Sequence, residues 1–248
     1  MSVRFAVISE ISTKSVKENI NSLKRIINHI ISEKKNVELF FFPEMFITSY
    51  LNNEDINFYK DKIDFIINEI YDFAKIKEVC ILFGLPKFVD DKIYIAQMII
   101  SNKGVIGEHL KTKISKRESK VYSENKAINV FEYNGIKFGI QLCYETHFPL
   151  ISTIQAKLGA DIIFTAFASP RESSQEKLKR FNKFLPARAY DNSVIIAGCN
   201  LISKGVIYDF PPLSFIYNRD GDLVNLNKSF NNNYCIGEVD RTLTRKFL

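Results

Sequence analysis

Apolar runs and amphipathic stretches alternate along the chain. VRFAVIS (3–9) predicts a first strand. Over 14–34, Val16, Ile20, Leu23, Ile27, Ile30 and Ile31 recur at threes and fours, which marks one apolar face of a helix. VELFFF (37–42) is continuously apolar, as a strand covered on both faces should be. A second helical pattern carries Ile63, Phe65, Ile66, Ile70 and Phe73, and VCILFG (79–84) returns to a buried strand. KIYIAQMII and GVIGEHL are adjacent strands separated by SNKG, and INVFEY and IKFGIQL flank NG, a strong hairpin signal. Beyond Cys143 the pattern predicts a helix over about 149–158, a strand in DIIFTAF, a helix over about 173–190 and a strand in SVIIAGC. The last third is β-rich, with RDGD as a turn. Helices and strands mixed with hairpins imply mixed sheets with helices outside. With no internal repeat, low-complexity segment or linker, a single domain over 1–248 is expected.

Composition narrows the function classes. A chain of 248 residues can bury a large core. Its net charge of +6 comes from scattered lysines with one concentration, KTKISKRESK, and no aromatic-interleaved basic stripe accompanies it. No nucleic-acid partner is expected. The four cysteines form no CxxC and no Cys/His cluster, which argues against a zinc site or a disulfide scaffold and fits a reducing compartment. No metal and no cofactor are expected. The start MSVRFAVISE is broken by Arg4 and Glu10 and reads as a strand, not a signal peptide. No segment approaches the ~20 apolar residues that span a bilayer, so a cytoplasmic protein with no membrane partner is expected.

Three polar residues stand just past apolar strands: Glu44 after VELFFFP, Lys111 after GVIGEHL and Cys143 after IKFGIQL. Sheets with parallel strands gather reactive groups at the strands' carboxyl ends. Each residue also has a plain structural account: a turn glutamate after proline, a lysine in a basic stretch, a cysteine acting as a small hydrophobe. Together they would bring a carboxylate, an ammonium and a thiol to one pocket.

The motifs around these residues resemble those of the nitrilase, or carbon–nitrogen hydrolase, superfamily. Its Glu-Lys-Cys triad occurs as PE after an apolar strand, YRK after a GxVxGxY strand and CYDxRFPE after xGxxI. This chain has FFFPEMFITSY, GVIGEHLKTKI and FGIQLCYETHFPL, in that order. Downstream, KLGADIIFTAFAS, LPARAYDNSVIIAGCN and NRDGDLV are similar to further family segments, so the resemblance covers nearly the whole chain. It departs at His109 and Leu110 before the lysine, at Lys113 where a His is usual, at Glu145 for Asp, at His147 for Arg or Trp, and in lacking a Gly-Ser pair in the last third.

The resemblance implies an α/β fold: an α-β-β-α sandwich of two mixed β-sheets with helices outside, associating into homodimers or larger homo-oligomers. It makes Cys143 the nucleophile, Glu44 the general base and Lys111 the third member, with Glu118, Glu145 and His147 as supporting or substrate-binding residues. In such a triad the glutamate takes the thiol proton and the lysine donates to the oxyanion. Pro149 suits a helix start, which would put the thiolate close to a helix N-terminus. The expected reaction is hydrolysis of a small linear amide or N-carbamoyl compound through an acyl-enzyme, with nitriles less favoured. Acyl transfer to an amine and a non-catalytic binding subunit are the alternatives.

Overall fold

Strands whose residues are apolar on both faces need cover on both sides, and the chain provides it with two sheets face to face and helices on each outer surface. The computed structural model describes residues 2–33, 36–50, 56–170, 172–203 and 209–241. The first half contributes β1 (Ser2–Ile8), α1 (Val16–Glu33), β2 (Leu39–Phe41), α2 (Ile63–Lys77), β3 (Cys80–Val89), β4 (Lys92–Ser101) and β5 (Gly104–Leu110). The second contributes β6 (Val130–Tyr133), β7 (Ile136–Leu142), α3 (Pro149–Lys157), β8 (Ile162–Phe167), α4 (Ser174–Phe181), α5 (Leu185–Asn192), β9 (Ile195–Asn200), β10 (Leu213–Tyr217), β11 (Leu223–Asn227) and β12 (Tyr234–Asp240).

The first sheet has the order β12-β1-β2-β3-β4-β5 and the second β11-β10-β9-β8-β7-β6. In the first, β1, β2 and β3 are parallel, and β4 and β5 follow as antiparallel neighbours. In the second, β7, β8 and β9 are parallel, with β6 and β10 antiparallel beside them. The strand β12 returns to pair antiparallel with β1 in the first sheet.

Period-two alternation divides the strands between two apolar layers. Phe5, Val7, Leu39, Phe41 and Leu82 face the second sheet, where Phe138, Ile140, Ile162 and Phe164 meet them. Phe164 is the hub, stacked on Phe41 and edge-on to Phe5 and Phe138. Their neighbours Ala6, Ile8, Phe40, Ile81 and Phe83 turn outward onto α1 and α2, which offer Ile20, Leu23, Ile27, Ile66 and Ile70. A third cluster packs Ile163, Ile196 and Phe215 of the second sheet against α3, α4 and α5.

The α-β-β-α sandwich is therefore the observed architecture. One element differs from expectation: the helix predicted over about 173–190 is two helices, α4 and α5. Ser173 caps α4, its hydroxyl accepting from the Glu176 N–H. Pro186 lies in the first turn of α5, where its missing N–H costs nothing; mid-helix it would break the hydrogen-bond ladder.

Candidate active site

The strands β2, β3 and β5 run in one direction, as do β7, β8 and β9, and the carboxyl ends of β2, β5, β7 and β8 meet at one mouth between the sheets. Past β2 the chain turns sharply: Met45 and Ser49 have positive φ, 55° and 58°. The turn leans on β3, with the Ile47 N–H donating to the Gly84 carbonyl at 3.0 Å. Gly84 has no room for a side chain, because an added Cβ would lie 2.7 Å from the Pro43 oxygen and 2.9 Å from the Glu44 carbonyl carbon. This close approach seats Glu44, which is fully buried.

Lys111 comes one residue past β5, its N–H still paired to the Ile95 carbonyl at 2.9 Å. Its ammonium donates to Glu44 Oε1 and to Glu118 Oε1, each at 2.7 Å. Glu44 Oε2 accepts from the Ala168 N–H at 3.2 Å, just past β8. Glu118 also accepts from the Tyr50 hydroxyl at 2.7 Å and from the Ser115 N–H at 2.6 Å. Lys113, by contrast, lies at the surface 3.8 Å from Glu124. Strand alternation would put both lysines on one face, but β5 ends at Leu110 and the alternation stops with it.

Cys143 follows β7 and opens a 3-10 turn over Cys143–His147. Its φ is 42°, a left-handed backbone that a non-glycine residue adopts at a cost of about 1–3 kcal/mol. It is half-buried, whereas Cys80, Cys199 and Cys235 are buried. The helix expected behind the thiol does start at Pro149, but the 3-10 turn stands between, so Cys143 opens that turn and lies away from the start of α3.

Burial dominates the electrostatics. It pushes the Glu44 carboxyl up to about 7, despite the salt bridge to Lys111. It also pushes the Cys143 thiol up to about 12, and the Glu44 charge adds to that while Lys111 opposes it. Burial works against the Lys111 charge too, yet the anionic groups of Glu44, Cys143 and Glu118 outweigh it and hold the ammonium charged. Burial likewise disfavours the Glu118 charge, but Lys111 and the Ser115 N–H keep that carboxyl below its usual value. The arrangement is a carboxylate able to take a proton near neutrality, an ammonium locked in charge, and a thiol whose anion would be drawn to it.

The structure brings Glu44, Lys111 and Glu118 into direct contact, with Cys143 in their field. Glu145 touches none of these three: fully buried within the thiol's own turn, it accepts from the Leu142 N–H at 2.6 Å, the Thr112 N–H at 2.7 Å and His109 Nε2 at 2.9 Å. It ties the end of β5 to the end of β7. His147 is exposed and its ring packs, tilted by 39°, against Phe184 with centroids 4.7 Å apart. Three residues around the mouth escaped sequence reasoning: Tyr50, Lys177 and Arg180. Lys177 left a signal, since Phe181 lies four residues on and shares its inward helix face. Among the described residues no group of three or more His, Cys, Asp or Glu is placed to hold a metal ion. No helix among them is long and apolar enough to cross a membrane.

The carbon-nitrogen hydrolase family model matches residues 6–247. The chain belongs to the carbon–nitrogen hydrolase family. Among curated relatives it is 28% identical to the Probable hydrolase YhcX of Bacillus subtilis, over 83% of this chain and 43% of YhcX, so it spans less than half the length of that relative. A carbon-nitrogen hydrolase from Helicobacter pylori superposes with a TM-score of 0.88 at 15% identity, covering 97% of this chain and 90% of that one. An amidase from Nesterenkonia sp. gives 0.83 at 16% identity, covering 96% and 89%. Both solved structures share the fold of this carbon–nitrogen hydrolase.

Proposed function

We propose that this carbon–nitrogen hydrolase is an amidase that cleaves small linear amides through a thioester on Cys143. The observation that carries the reading is the buried Glu44–Lys111 contact at 2.7 Å, set against a thiol on a left-handed turn. Glu44 takes the thiol proton as Sγ attacks the amide carbon. Two of the three Lys111 N–H groups are engaged by Glu44 and Glu118, and the third donates to the oxygen that becomes anionic. The C–N bond breaks as Glu44 returns its proton to the leaving nitrogen, releasing ammonia or an amine. Water then gives a proton to Glu44 and attacks the thioester; the C–S bond breaks, and the proton returns to sulfur with release of the acid. The amidase from Nesterenkonia sp. with the same fold supports an amide as substrate.

Ammonia release from a panel of aliphatic amides tests the reading. Turnover that disappears in Cys143→Ala supports it, and turnover that survives the change removes Cys143 as nucleophile. The same reading seats a second copy of the chain on the face of α3 and α5, where Leu150, Leu158 and Tyr190 are exposed. Light scattering at twice the chain mass supports that pairing, and a monomer mass overturns it.

A further inference from the structure

Two side chains from outside the sheets hold the loop that carries Glu44. Asn19 lies in the first turn of α1 and is buried, an unusual place for a residue type that favours caps and turns. Its Nδ2 donates to the Ile47 carbonyl at 2.9 Å and to the Thr13 carbonyl at 2.8 Å, and its Oδ1 accepts from the Thr13 N–H at 2.8 Å. Ser12, also buried, donates from Oγ to the Phe46 carbonyl at 2.8 Å. Its own N–H is anchored on the Ile202 carbonyl at 2.9 Å, just past β9 of the second sheet.

Phe46 and Ile47 are buried and lie past the end of β2, outside the strand ladders, and a buried carbonyl without a donor is costly. They sit between Met45 and Ser49, whose left-handed backbones persist only where the surroundings impose them. Ile47 is gripped on both sides, its N–H by the Gly84 carbonyl of β3 and its own carbonyl by Asn19. Both Nδ2 hydrogens of Asn19 are engaged, so the amide is locked and can fix what it holds. Three residues before Ile47 on the same turn stands Glu44, whose carboxylate meets Lys111 at 2.7 Å.

We infer that Asn19 is a positioning residue for Glu44: with Ser12 beside it, it sets the angle at which the carboxylate meets Lys111 and the thiol. This rests on the amidase reading above for the role of Glu44 as base. A displacement of about 1 Å at a reacting group can lower a rate ~10²-fold, and a peptide released at Ile47 is close enough in the chain to pass such a shift to Glu44.

The test is Asn19→Leu, which keeps the branched shape and removes the amide's hydrogen bonds. On an aliphatic amide kcat should fall ~10–100-fold with KM little changed. The acid limb of kcat/KM should also move to higher pH. Burial favours the protonated form of Glu44, and among Lys111, Glu118, Tyr50 and Cys143, which face it, Lys111 does most to oppose that. A loosened Lys111 contact therefore leaves the proton on Glu44 to higher pH. Ile27→Val, a trim of the buried face further along α1, should lower Tm and leave kcat and the limb as they were. An Asn19 that merely fastens α1 would behave like Ile27, with a lower Tm and kcat and the acid limb unmoved, and that result overturns the inference. Equal losses of kcat in the two variants overturn it as well. Should Asn19→Leu not fold, Ser12→Ala, which frees the Phe46 carbonyl, decides with the same signs. If no amide is hydrolysed, the amidase reading fails, and alkylation of Cys143 still decides this one. Its rise with pH follows the transfer of the thiol proton to Glu44, so the iodoacetamide rate curve should shift to higher pH in Asn19→Leu and stay in place in Ile27→Val. Coincident curves for the wild-type protein and Asn19→Leu overturn the inference.

Discussion

A carboxyl group held near 7 is the residue-scale fact with the widest reach. Below that pH, Glu44 carries its own proton and cannot take one from the thiol. The proposed reaction should therefore slow as the medium is acidified, with kcat/KM falling through an apparent pKa near 7. Glu44→Gln keeps the shape and removes the proton acceptor, so turnover should drop by ~10²–10⁴ and the acid limb should flatten. A variant that keeps both its rate and its acid limb would shift the base to another group, with Glu118 first in line. Lysine identity is as sharp. Lys111→Met should cost ~10²–10³ in turnover, as loss of one oxyanion donor does. Lys113→Met, at the surface beside Glu124, should change turnover little. Equal losses in the two variants would contradict the assignment.

Among elements, the turn between β2 and the rest of its loop depends on a missing side chain. Gly84→Ala would drive a methyl into the Pro43–Glu44 backbone, and backbone cannot swing aside as a flexible side chain can. Overpacking of this kind costs about 1–3 kcal/mol, and Tm should fall by ~2–4 °C for each kcal/mol in a chain of this size. Turnover measured well below Tm should fall as well, because the displaced backbone carries Glu44. A variant with normal Tm and turnover would show that the contact relaxes freely. The strands were the most legible part of the sequence: apolar runs such as LFFF (39–42) and CILF (80–83) have few ways to be buried other than between two covering layers. The positions of Glu44, Lys111 and Cys143 stood out because each lies just past a strand, but the roles proposed for them came from the family motifs around them, since each alone has a plain structural account. The break at 182–184 was not, because the apolar periodicity of α4 and α5 passes smoothly through it and only Pro186 marks the boundary. The place of Glu145 was hidden for another reason. Its partner His109 lies 36 residues upstream, and no local pattern reports a contact made across two sheets.

At the scale of the whole molecule, the groups of the proposed reaction are divided between the sheets: Glu44 and Lys111 come from the first, Cys143 and the Ala168 N–H from the second. Their alignment depends on the aromatic layer around Phe164, and on Glu145 accepting from both sides. Phe164→Ala would open a cavity there and should cost about 3–5 kcal/mol. In a urea titration of that variant, turnover should decline at lower denaturant than the far-ultraviolet dichroism of the strands and helices, because sheets can part slightly before either unravels. Coincident transitions would mean that the sheets separate only as they melt. The same division acts before the fold is complete. A chain still emerging from synthesis has Glu44 and Lys111 long before Cys143 exists, and neither half alone holds a working nucleophile. In the proposed reaction the thiol is activated only where the two sheets meet, so a copy whose sheets are parted should carry an ordinary thiol.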